Sequence, residues 1–290
     1  MLRFLAPALA LLLASPTPPT PPAPPAEPRP ALWKLSDPDT TIYLFGTIHA
    51  LPPGYRWTTP TLDKAIAASD ELVIETLLDK DPDKAAALLY GLALTPGLPP
   101  IAERVDAADR TALADTAKRA HIPQAVLDGM ETWAAALVLT QASLGALGLG
   151  AGVEDSLKTR FAGKSISGLE TPEQQLGFLD ALPEAEQRRF LAAVLEQGME
   201  PDKEFAEMLA GWARGDEALI ARSFDDEASV SPYLRDVLLT RRNKAWSAWL
   251  AARLRQPGTA FVAVGAGHLA GKGSVVELLR TSGLKVERVE

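Results

Sequence analysis

The chain has 290 residues, 47% of them apolar and 23% charged, with a formal net charge of −8, three histidines and no cysteine. That composition gives one large domain or two small ones with a substantial core, and it excludes wholesale disorder. The missing cysteines exclude disulfide scaffolds, thiolate metal sites and cysteine nucleophiles, and an acidic chain without a basic tract argues against nucleic-acid binding, which draws on clustered Lys and Arg.

At the amino terminus, Arg3 precedes an apolar run from Phe4 to Ala14 that is interrupted by Pro7 and closed by Ser15 and Pro16. Its length suits a signal-peptide h-region and is too short for a membrane span, which needs roughly 20 apolar residues. Residues 1–14 are therefore read as a signal segment, cleaved near Ala14 or as late as Ala23 or Ala26. Export to the periplasm or the exterior follows, with no stable membrane span left after cleavage. Residues 15–30 are proline-rich and form neither helix nor central strand, because proline lacks the amide donor and fixes φ; they read as an extended linker. The folded domain is assigned to residues 31–290.

Leu32–Leu35 and Thr41–Phe45 are predicted strands joined by the turn residues Ser36, Asp37, Pro38 and Asp39, a hairpin whose second strand runs into GTIH. Thr59–Ser69 has helical spacing at Leu62, Ile66 and Ala67, and Glu71–Glu75 is a buried-type strand. From Asp81 to about Leu147 the pattern is helical, broken by TPGLPP and Pro123. Gly145, Gly148, Gly150 and Gly152 then punctuate the chain ahead of a helix from Glu154 to Phe161 and a strand from Lys164 to Leu169. Residues 172–254 are again helical, the last helix carrying Trp246 and Trp249, and the end returns to strand, helix and strand. The fold class is thus α/β (α+β): strands from the N- and C-terminal parts form a central sheet around a large helical middle.

His49 and His268 share one local setting, an apolar strand followed by Gly-x-x-His, in GTIH and GAGH. Glycine lets the backbone turn sharply at a strand end and leaves room beside the imidazole. VIET after the first motif and GLET before the second echo each other in reverse order. His49, Glu75, Glu170 and His268 therefore all fall at the carboxyl ends of strands, where ligand sites of open α/β sheets collect. Two imidazoles and two carboxylates suit zinc, manganese, iron or cobalt with positions open for water; strand-end hydrogen bonding and helix capping are the structural alternative. Glu154 and Asp155 open a helix, where capping and site participation are both open. Arg241 and Asn243 occupy the long late helix, where an inward arginine would bind a substrate carboxylate or orient Glu75 or Glu170, and a solvated helix face is the alternative. His121 sits before Ile122 and Pro123 and is read as a helix-end residue.

LFGTIHALPPG, ELVIET, SISGLETPEQQLGF, RRNKAW and FVAVGAGHLAGKGSVVELLRTSGLKVERV, in that order over Leu32–Val289, resemble the TraB/GumN family, which is related to the Tiki metalloproteases. The resemblance implies paired GxxH elements and, for Tiki-like members, a divalent-metal-dependent peptidase using both histidines and a glutamate, which maps onto His49, His268 and Glu75. The expected function is an exported metallohydrolase acting on peptide or protein. His49, His268, Glu75 and Glu170 would hold Mn, Co or Zn, with Glu75 as general base and Arg241, Asn243, Glu154 and Asp155 in supporting positions. The alternative is a binding protein that captures a peptide, haem or metal in the same crevice without turnover. Sequence leaves the oligomeric state open.

Overall fold

The computed structural model describes residues 27–79, 81–197, 201–228 and 231–290. The signal segment and most of the proline-rich linker lie outside the described residues.

Strands β1 (Leu32–Ser36) and β2 (Thr40–Thr47) form the expected hairpin, with Leu32 opposite Phe45 and Ser36 opposite Thr41. Its turn is closed by Asp37, whose Oδ1 accepts from the Thr40 N–H at 2.8 Å. After β3 (Ala50–Leu51), helix α1 (Pro60–Ala68) starts at Thr59, whose hydroxyl accepts from the Leu62 N–H at 3.1 Å, with proline in its first turn. Strand β4 (Glu71–Thr76) leads into the helical middle: α2 (Pro82–Ala93), α3 (Arg110–Arg119), α4 (Gln124–Asp128) and α5 (Thr132–Ala146). Next come β5 (Gly150–Ala151), α6 (Val153–Arg160) and β6 (Ser165–Glu170). Helices α7 (Pro172–Asp180), α8 (Glu184–Gln197), α9 (Pro201–Ala213), α10 (Glu217–Ala228), α11 (Pro232–Arg235) and α12 (Arg241–Arg253) precede β7 (Gly258–Gly265), α13 (Val275–Thr281) and β8 (Val286–Arg288).

The main sheet has six strands in the order β6-β4-β7-β2-β1-β8. The first four are parallel, and β1 and β8 add antiparallel pairs at one side. Parallel strands are covered on both faces, which is why they read as continuous apolar runs. In β7, Phe261 and Ala263 join the core built by the helical middle, whereas Ala260, Val262 and Val264 pack with Trp246, Leu250, Val276 and Leu279 of α12 and α13. The middle has its own buried cation: Arg104, 1% exposed, donates to the carbonyls of Met130, Leu127 and Asp128.

Two local features go beyond the sequence reading. The glycine-rich stretch forms a second, two-stranded sheet in which Ala50 pairs with Ala151 and Leu51 with Gly150. That pairing seats Gly152 so close to the His49 backbone that a Cβ there would lie 2.2 Å from the His49 carbonyl oxygen. Gly152→Ala is therefore expected to destabilise by about 3 kcal/mol, at the upper end of ordinary single substitutions. Gly150→Ala, whose nearest contact would be an ordinary 3.9 Å, should stay close to wild type; urea denaturation of the two variants checks the contrast. The second feature is a π-helical turn over Asp236–Thr240, joined without a break to α12. One extra residue in a turn rotates everything after it by about 100° about the axis, and this sets which α12 residues face the sheet.

Candidate functional site at the carboxyl edge of the sheet

Strands β2 and β7 are neighbours in register, Thr47 beside Gly265, so the chain after each delivers its histidine to the same edge. Glu75 is the penultimate residue of β4 and Glu170 ends β6, with Thr76 beside Glu170. The topology thus collects His49, Glu75, Glu170 and His268 at one edge of the parallel strands, as the strand-end pattern predicts.

His49 is held by α6. Its Nδ1 lies 2.5 Å from Glu154 Oε1, and the same oxygen accepts from the Thr47 hydroxyl at 2.5 Å. Burial opposes ionisation of Glu154, but His49 and these hydrogen bonds outweigh it and hold the carboxyl below its ordinary range. A carboxylate partner makes Nδ1 the protonated nitrogen, and in the neutral ring Nε2 is then the acceptor. Asp155, the next residue, is exposed and pairs with Lys158. Of the two acidic residues at this helix start, Glu154 belongs to the site.

His268 is fixed in the same sense by a different group. Its Nδ1 lies 2.6 Å from Asn243 Oδ1, and the Asn243 amide nitrogen donates to the Gly273 carbonyl at 2.8 Å. The second bond orients the amide so that its oxygen faces the imidazole, so Nδ1 carries the hydrogen and Nε2 the lone pair. Trp246 covers the ring, with centroids 4.3 Å apart. Burial lowers the His268 pKa to about 3, against the opposing pull of Glu75.

That depression has a definite sign. Between pH 6.5 and 3 the unfolded chain binds a proton that folded His268 refuses, so its contribution to stability is complete above pH 6.5 and lost as pH falls toward 3. Between pH 7.5 and 5 the linked loss is about 2 kcal/mol. Urea denaturation at the two pH values checks this, and His268→Gln should show a correspondingly shallower dependence.

The centre of the cluster is Arg242, 2% exposed. Its Nη2 donates to Glu75 Oε2 at 2.7 Å, its Nε and Nη2 grip Glu170 at 2.7 and 2.8 Å, and its Nη1 reaches the Leu238 carbonyl at 3.2 Å and His268 Nε2 at 3.3 Å. Leu238 lies in the π turn, which places Arg242 and Asn243, rather than Arg241, toward the edge. Arg241 is on the surface, paired with Asp236 at 2.7 Å, so the inward role expected of the first arginine falls to the second. Arg242 was not singled out in the sequence; the Arg-Arg-Asn string was its only signal.

Glu75 receives the Gly265 N–H at 2.7 Å and the Gln175 amide at 3.4 Å, and its Oε1 lies 3.8 Å from His268 Nε2. Burial opposes its ionisation, yet Arg242 and the surrounding donors hold its pKa at about 2. Glu170 behaves oppositely: burial raises its carboxyl despite the Arg242 grip. His121 lies elsewhere. It adopts a left-handed backbone, φ +55°, after α3 and lines a cleft of about 500 Å³ among α2, α3, α4 and α5.

The donor chemistry fits a divalent ion in part. Two imidazoles, each with an oxygen against Nδ1, follow the usual outer-shell arrangement of metal-ligating histidine, although His268 Nε2 faces Arg242 Nη1 at 3.3 Å. Glu75 is ionised beside them. Its charge is also committed to Arg242, as is that of Glu170, and among the described residues no three His, Asp or Glu side chains form a ready metal-binding group. Among the described residues no helix is long and apolar enough to cross a membrane.

No curated protein and no solved structure matches the chain. A family model does, and it spans both histidine loops, all the strands that carry them and the helical middle. The chain belongs to the TraB/PrgY/gumN family, whose model matches residues 31–288.

Proposed function

We propose that this edge is the active centre of an exported, divalent-metal-dependent hydrolase acting on peptides. The observation that supports the reading is the matched placement of an oxygen against each Nδ1, Glu154 on His49 and Asn243 on His268, which leaves Nε2 of each ring as the nitrogen to ligate an ion, with Arg242 Nη1 giving way at His268. His49, His268 and Glu75 would hold Mn, Co or Zn, with Glu170 as the further carboxylate. The ion would supply Lewis-acid polarisation of a carbonyl and a lowered pKa for water.

The chain's own residues supply the rest. Neutral His268 and ionised Glu75 are in the protonation states that ligation needs. Arg242 holds both carboxylates in place, with its donors committed to Glu75, Glu170, the Leu238 carbonyl and His268. Proton exchange suits the carboxyl that the site pushes upward, Glu170, better than the one it holds near 2. The sequence favours Glu75 for that role; Glu75→Gln and Glu170→Gln, compared by kcat at saturating substrate, separate the two assignments.

The test of activity is cleavage of a peptide library by the full-length exported protein, with and without chelator. Turnover that is lost with chelator and restored by Mn, Co or Zn is the expected result. Peptide retention with no turnover under any metal would favour the second reading, a capture protein, which the engagement of both carboxylates by Arg242 supports. Export itself is tested by N-terminal sequencing of the protein recovered outside the cytoplasm, expected to begin between residues 15 and 27.

A further inference from the structure

We infer that the cleft between α2 and α7 is a subsite for one apolar side chain, aromatic or branched aliphatic, of the peptide handled at the Glu75 edge; the inference rests on the hydrolase reading above. The two helices leave the carboxyl edge side by side, α2 following β4 and α7 following β6. Between them is a cavity of about 140 Å³ lined by Leu78, Ala85, Leu88, Leu89 and Leu176, together with Gln175. Gln175 is 5% exposed and its amide donates to Glu75 at 3.4 Å. One buried side chain therefore joins the cavity wall to the carboxylate of the site, and a group seated in the cavity is separated from Glu75 by Gln175 alone.

Size and charge narrow the occupant. An apolar protein cavity of about 150 Å³ accepts benzene, so this one suits a single phenyl ring or a leucine-sized group and not an extended chain. Asp79 and Lys84 pair with each other at 3.5 Å and also line the cavity. Glu173 adds a negative charge to the lining, which disfavours acidic side chains. What remains to select is the leucine wall.

Two substitutions at half-buried α2 positions test this without touching the catalytic edge. Ala85→Phe fills the cavity and Leu88→Ala enlarges it. In the full-length protein, Ala85→Phe is expected to lower kcat/KM for Phe-containing peptides at least about tenfold while leaving matched Ala-containing peptides near wild type, and Leu88→Ala is expected to shift preference toward Trp. Binding of N-acetyl-phenylalanine amide and N-acetyl-alanine amide, followed by ligand-observed NMR, gives a readout that needs no turnover: preference for the Phe compound in wild type, lost in Ala85→Phe. Unchanged side-chain preference in both variants, or equal binding of the two amides to wild type, would overturn the subsite even if peptides are cleaved. Absence of all cleavage together with a Phe preference lost in Ala85→Phe would overturn the hydrolase reading and leave the cavity assignment standing.

Discussion

Arg242→Ala should cost about 3–5 kcal/mol of folding stability, the range for breaking a buried ion pair by removing one partner. The guanidinium is the shared partner of Glu75 and Glu170, with contacts at 2.7 to 2.8 Å, and all three side chains are at most 7% exposed. Removing it strands two carboxylates in a buried site. Arg242→Lys should recover little, since an ammonium cannot present the planar fork that serves both acids. Combining Arg242→Met with Glu75→Gln and Glu170→Gln should recover most of the lost stability, because the uncompensated charge goes with the cation. Chemical denaturation of the three variants against wild type measures the series. A loss below about 1 kcal/mol for Arg242→Ala would mean that the cluster is solvated in solution.

His49→Ala and His268→Ala should each abolish stoichiometric divalent-metal binding while the unfolding transition stays cooperative. The outer partners should act more gently: Glu154→Gln and Asn243→Ala are expected to weaken affinity 10- to 100-fold, about the usual cost of losing the group that orients a ligating imidazole. Isothermal titration with zinc and manganese orders the four variants. Equal affinity in wild type and the His49→Ala, His268→Ala double variant would remove the metal site from this edge. Arg241→Ala and Asp155→Ala, both directed to solvent, serve as the neutral comparisons.

Much of the sheet was legible because buried parallel strands leave a strong trace. TIYLFGTIH and TAFVAVGAGH are long apolar runs that end in the same glycine-histidine spacing, and they lie side by side. Glu75 and Glu170 were found by the same logic, as the last residues of shorter runs. The choice between neighbours was not legible. Adjacent helix residues differ by about 100° around the axis, so one of Glu154 and Asp155 meets His49 and the other meets water, and composition does not say which. For Arg241 and Arg242 the π turn before them adds a rotation that a regular helical period does not contain. The β3–β5 pairing was invisible for another reason: two residues are too few to show alternation, and only the glycines around them hinted at a close approach.

The proposed function requires the two imidazoles, from opposite ends of the chain, to share one ion. X-ray absorption at the zinc edge, on full-length exported protein loaded with zinc and freed of excess metal, tests this most directly. One ion per chain with two imidazole ligands and oxygen donors completing the shell is the predicted result. Absence of stoichiometric zinc, or a spectrum with no imidazole scattering, would contradict it.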